Sequence, residues 1–129
     1  MVEKLHPRAI KGIILFNQKK FFDAHEELEI AWRDEPGQIR DLYRGILQVG
    51  VAYYHITRRN FSGAKKLIIR SEKWLEPFPD KVLGINIKKL KSDSKNILVK
   101  LENGYFDSLS FNDNDFFAEI EFKLIQDQK

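Results

Sequence analysis

"QIRDLYRGILQVGVAYYHITRR", residues 38–59, carries apolar side chains on nearly every side between Leu42 and Ile56. A helix that is apolar all round is one surrounded by other helices. That reading makes 38–59 the central helix of an all-α bundle, and the flanking sequence divides accordingly. Upstream, "HPRAIKGIILFNQKK" has Pro7 in a first-turn position and Ile10, Ile13, Ile14 and Phe16 at helical spacing, which predicts a helix over about 7–17. A second helix over about 21–34 stops before "EPG", because proline disfavours helix in the residue before it. Phe21, Ala24, Leu28, Ala31 and Trp32 mark its buried side.

Downstream, Asn60 ends the central helix or caps the next, "FSGAKKLIIRSEKWLE", which has Leu67, Ile68, Trp74 and Leu75 inward and ends before Pro77. "EPFPD" is a connector. Asn86 then N-caps a helix with a stripe of Ile87, Leu90, Ile97, Leu98 and Leu101, stopped by Asn103-Gly104. In the tail, "AEIEFKLI" alternates Ile120, Phe122 and Leu124 with charged residues, which predicts an extended segment; a short amphipathic helix containing Phe116, Phe117 and Ile120 is the alternative. The expectation is a single domain over 1–129: a bundle of five or six helices, a core over about 7–104 and a tail over 105–129. "KKFFDAHEEL" and "RRNFSGAKKL" echo each other weakly, with Phe22 matching Phe61 and Leu28 matching Leu67, which is too little to establish a repeat array.

Composition narrows the function classes. With 43% hydrophobic and 32% charged residues, the 129-residue chain is ordinary globular sequence of one-domain size. It has no cysteine, which excludes disulfides, thiolate metal sites and a cysteine nucleophile. "MVEKLHPRAIKG" has no apolar signal core and no run is long enough to span a bilayer, so the expected home is cytoplasmic and no membrane partner is expected. A net charge of +3 is less than nucleic-acid binding usually carries on one face, so the lysines read as solvated helix surface and nucleic acid is not expected as a partner.

The polar residues of interest sit in "FFDAHEELEIAW", residues 21–32. At about 100° per residue, His25 and Glu29 lie about 40° apart and Trp32 about 20° to the other side of His25. Glu26 and Glu27 point elsewhere, toward solvent. On the central helix the same arithmetic groups Arg44, Gln48 and His55, with Gly45 and Ala52 beside them to let a neighbouring helix approach. His25 and Glu29 are the natural partners across that gap.

Three readings of this cluster are open. In the first, His25, Glu29, Gln48 and His55 satisfy one another by hydrogen bonds while Trp32 fills volume. In the second, His25, Glu29 and His55 hold a divalent metal such as zinc between facing helices. In the third, Glu29 orients His25 or His55 for metal-free proton transfer, although no serine or cysteine nucleophile stands beside it. Arg44 weighs against a cation, since a guanidinium there pairs readily with Glu29 or with a carboxylate or phosphate ligand. Other polar residues take structural roles: His6 in a turn, Asn60 and Gly63 at a helix turn, Tyr53 in the core and Tyr54 at its rim.

The motif His-x-x-x-Glu-x-x-Trp, together with "RGILQVGVAYYHITRRNFSGAKKL", resembles the small all-helical bacterial and archaeal proteins grouped as domain-of-unknown-function family 309. The resemblance covers about residues 10–75. His25, Glu29 and Trp32 match the motif; Gly45, Gln48, His55, Asn60, Gly63 and Ala64 match the second block. It implies a helical domain packed around a central helix and a motif associated with metal binding, but no reaction. Position 44 departs, because such proteins commonly have Gln where this chain has Arg44.

The expected function is therefore a small-ligand or metal-binding domain with a pocket of His25, Glu29, Trp32, Arg44, Gln48 and His55, taking a small molecule or anion. The alternatives are a metal-dependent or acid-base enzyme, hydrolase-like, using the same residues, and a non-catalytic protein-interaction module. The apolar tail offers a surface for a homo-oligomer.

Overall fold

The computed structural model describes residues 4–107 and 116–124. Within them five helices follow one another: α1 (Pro7–Asn17), α2 (Phe21–Asp34), α3 (Ile39–Thr57), α4 (Phe61–Leu75) and α5 (Ile87–Glu102). Each helix packs against the next. The expected spans hold closely because the caps are local: His6 Nδ1 accepts from the Arg8 N–H at 3.0 Å, Asn60 Oδ1 from Gly63 at 3.0 Å and Asn86 Oδ1 from Lys89 at 2.9 Å. His6 is thus a helix cap, in keeping with its structural reading.

The turns between α1 and α2 and between α3 and α4 are built alike. Lys19 (φ 66) and Arg59 (φ 60) adopt the left-handed conformation. The N–H one residue further on then reaches back, Lys20 to the Leu15 carbonyl at 2.9 Å and Asn60 to the His55 carbonyl at 2.8 Å. The two turns correspond at Lys19 and Arg59, one position off the register in which the sequences echo.

Helix α3 is the buried centre, enclosing Leu42, Tyr43, Ile46, Val49, Ala52, Tyr53 and Ile56. Two glycines set how closely its neighbours come. A Cβ on Gly12 would lie 2.6 Å from Leu28 Cγ, where α1 meets α2, and one on Gly45 would lie 2.6 Å from Leu75 Cδ2, where α3 meets α4. The small-residue face of α3 at Gly45 therefore receives α4, whereas the sequence reading had assigned it to the approach of His25 and Glu29.

Between α4 and α5 lies a hairpin absent from the sequence reading, β1 (Lys81–Val82) and β2 (Ile85–Asn86), turned by Leu83 and Gly84 at positive φ. The described stretch 116–124 of the tail adds an extended segment to this hairpin, as its alternation predicts. Phe122 bridges Ile85 in antiparallel fashion, Asn86 N–H donates to the Glu121 carbonyl at 2.9 Å and Lys123 N–H to the Gly84 carbonyl at 2.9 Å. A Cβ on Gly84 would collide with the Lys123 carbonyl. Phe117 stacks on Tyr53 at 4.7 Å and meets the edge of Phe21 at 5.1 Å. Of the apolar residues that made the tail a candidate oligomer surface, Phe117 and Ile120 are buried inside this chain, 2% and 3% exposed, Phe116 and Phe122 are half-buried, and Leu124 is exposed. No helix among the described residues is long and apolar enough to cross a membrane.

Candidate functional site

The stripe read from α2 is present. His25 and Glu29 are half-buried, with His25 Nε2 3.6 Å from Glu29 Oε1. The other carboxylate oxygen, Oε2, accepts from Arg33 Nη2 at 2.6 Å. Glu29 is therefore held by the residues four before and four after it on its own helix, neighbours that helical geometry brings together. Arg33 was missed although the i, i+4 spacing announces it. Glu26 is exposed, as expected. Glu27 is not at the solvent: its side chain is 15% exposed and takes Arg8 Nη1 at 2.9 Å and Lys11 Nζ at 3.9 Å, fastening α2 to α1.

Arg44 does not pair with Glu29. Its guanidinium lies over two indole rings, 4.4 Å from the Trp74 ring centre and 5.2 Å from that of Trp32. These are the chain's two tryptophans. Arg40 adds a second cation over Trp32 at 4.9 Å and donates from Nε to the Trp32 carbonyl at 3.3 Å. The arrangement follows from Gly45: a Cβ there would lie 3.4 Å from Trp74 Cβ, so its absence lets α4 bring the indole against the neighbouring Arg44. Trp74 comes from a third helix, and nothing in the spacing of α2 and α3 could have supplied it.

Two cavities lie along the seam of α2 and α3. One of about 200 Å³ is walled by His25, Glu29, Trp32, Arg44, Leu47 and Gln48. Gln48 is 9% exposed, and its Oε1 is buried without a hydrogen-bond partner. The other, of about 210 Å³, is walled by Phe21, Phe22, His25, Val51, Tyr54 and His55 and is almost wholly apolar. His25 is common to both.

Five of the six candidate residues thus share one cavity, and His55 stands in the next. The reason is axial. Arg44 and His55 agree in angle about α3, but eleven residues at 1.5 Å each separate them by about 16 Å along it. His55 Nδ1 instead lies 3.5 Å from the amide nitrogen of Asn60, which caps α4. The three-ligand set of His25, Glu29 and His55 is consequently not assembled. Among the described residues no group of three His, Cys, Asp or Glu side chains is placed to hold a metal ion. Among the described residues no serine or threonine lines either cavity to act as a nucleophile.

A larger cavity of about 360 Å³ between α4 and α5 is lined by Glu72, Leu75, Glu76, Lys91, Ser92, Ser94 and Lys95. Several of its polar groups are already engaged. Lys95 is 3.9 Å from Glu72, Lys91 Nζ donates to the Phe78 carbonyl at 3.2 Å, and Ser94 Oγ to the Lys91 carbonyl at 3.1 Å. Among these groups, only the α2–α3 cleft holds a buried atom with an unmet need.

The chain is similar to the uncharacterized protein YpuF of Bacillus subtilis, with 36% identity over 75 residues, a stretch that covers 56% of this chain and 43% of that relative. The chain thus spans less than half the length of the curated relative it matches. Residues 9–67 match the family model described as "Domain of unknown function (DUF309)". That segment contains His25, Glu29, Trp32, Arg44, Gln48 and His55, so all six candidate residues lie in the part of the chain that is similar to that family.

Proposed function

We propose that the cleft walled by His25, Glu29, Trp32, Arg44, Leu47 and Gln48 is a binding site for a small polar molecule or anion. The observation that carries this reading is Gln48 Oε1, buried in a cavity wall with no donor. Leaving an amide oxygen buried and unsatisfied costs about 1–3 kcal/mol. Most buried polar atoms in folded proteins have a partner, so an unpartnered amide oxygen on a residue of a cavity wall supports a binding role for that wall. Arg44 supports the same reading. Among the described residues it forms no ion pair, and stacking by two indoles leaves its in-plane N–H donors for an acceptor. Glu29, in the same wall, has Arg33 Nη2 on one carboxylate oxygen and His25 Nε2 3.6 Å from the other.

Gln48→Met tests the reading. Methionine keeps the length of the side chain and removes the amide, so the free protein is expected to gain about 1 kcal/mol in urea unfolding. A neutral or destabilising result would mean that the amide's needs are met within the fold, and the reading would lose its main support.

A further inference from the structure

We propose that the ligand is a zwitterion with an apolar tail, in chemical terms an α-amino acid with a large aliphatic or aromatic side chain. This rests on the cleft being a binding site. The wall of the polar cavity carries a cation, Arg44, a carboxylate, Glu29, and an amide, Gln48, whose buried Oε1 has no partner. A plain anion answers Arg44 but brings no donor to Gln48 and meets Glu29 as a like charge. A plain amine answers Gln48 and Glu29 but meets Arg44 as a like charge. A molecule bearing carboxylate and ammonium on one carbon satisfies all three groups.

Two further features fix the class. Arg44 lies over the rings of both Trp32 and Trp74, and a guanidinium held by aromatic rings can still take a carboxylate through two parallel N–H donors. Through the shared wall at His25, the polar cavity adjoins the apolar one lined by Phe21, Phe22, Val51 and Tyr54. Val51 is about 5 Å beyond Gln48 along α3. That is the reach of a leucine or phenylalanine side chain from its α-carbon. The apolar cavity, about 210 Å³, equals the volume of about seven waters in the liquid, enough for such a group.

The test titrates the full chain with L-leucine and L-phenylalanine while following the two indole N–H resonances, assigned with Trp32→Phe and Trp74→Phe. Three comparators each lack one feature: 4-methylpentanoate the ammonium, leucinamide the carboxylate, glycine the side chain. Both indole signals are expected to move with leucine or phenylalanine, and every comparator is expected to bind at least about tenfold more weakly, the cost of one charge-assisted contact or one apolar side chain. In Gln48→Met, leucine is expected to fall to the affinity of 4-methylpentanoate. If 4-methylpentanoate or leucinamide matched leucine, the zwitterion would be overturned and the cleft would stand as a site for a simple ion. Silence from every probe alongside a stabilised Gln48→Met would overturn the amino acid class alone. Silence together with an unstabilised Gln48→Met would overturn both this inference and the binding-site reading.

Discussion

Arg44 is worth more to the protein as a stacked cation than as half of an ion pair. Its guanidinium has two indole faces within about 5 Å and sits in a half-buried wall. Cation–π contacts contribute about 0.5–1 kcal/mol when exposed and about 2 when desolvated. Arg44→Gln is therefore expected to cost about 1–2 kcal/mol in urea unfolding and to shift tryptophan emission, since both indoles lose the same partner. A change of under about 0.3 kcal/mol would show that the stacking is solvent-screened and structurally idle. At this scale the sequence was half legible. The angle about a helix axis is set by residue number alone, so the His25, Glu29 and Trp32 stripe and the Arg44 and Gln48 pair could be read directly. Axial distance was overlooked, which put His55 in the wrong cavity. The Trp74 contact depends on how closely Gly45 lets α4 approach, a tertiary fact no single-helix period contains.

The elements divide into those specified locally and those specified at long range. All five helices are announced by their period, and three of them, α1, α4 and α5, also by a side-chain cap at the N-terminus, and their bounds were legible for that reason. The hairpin was not, because two-residue strands carry no periodic signal, and its stability is borrowed from the tail. The clasp on that tail is Asn17 at the end of α1. Its Nδ2 donates to the Ile120 carbonyl at 2.9 Å, and its Oδ1 accepts from the Ile120 N–H at 2.7 Å, so one side chain imitates a neighbouring strand. Each such bond contributes about 1 kcal/mol net, more when its loss strands a part-buried group. Asn17→Ala is expected to cost about 2 kcal/mol and to speed hydrogen exchange at Ile120, Asn86 and Lys123 before the helices are affected. Unchanged exchange at those three amides would mean that burial of Phe117 and Ile120, at about 1.5–3 kcal/mol each, holds the tail without the clasp.

For the whole molecule, the centre of the bundle is where apolar packing and ionisation meet. Tyr53 lies in a cluster with Phe16, Phe21 and Phe117, contributed by α1, α2 and the tail, so its environment exists only when all of them are docked. Burial pushes its phenol far above the ordinary 10.0, and the charge of Asp93 pushes it the same way. Burial also raises Tyr43, against the lowering effect of the His6 N–H that its hydroxyl oxygen accepts at 2.9 Å, with Glu35 adding to the rise. Both shifts favour the protonated phenol in the folded state. Their contribution is therefore complete below pH 10, the unfolded value, and is lost as pH rises above it. Each phenol is expected to remove about 1.4 kcal/mol of stability per pH unit in that range until the fold gives way. In a Tyr54→Phe/Tyr105→Phe background, only these two phenols remain to report. Phenolate absorbance should then rise together with the loss of helical circular dichroism, because neither hydroxyl ionises readily while its surroundings are intact. Phenolate formation in a protein that kept its full helix signal would show that the centre admits water and charge without unfolding, and that α1, α2 and the tail do not close over Tyr53 as one unit.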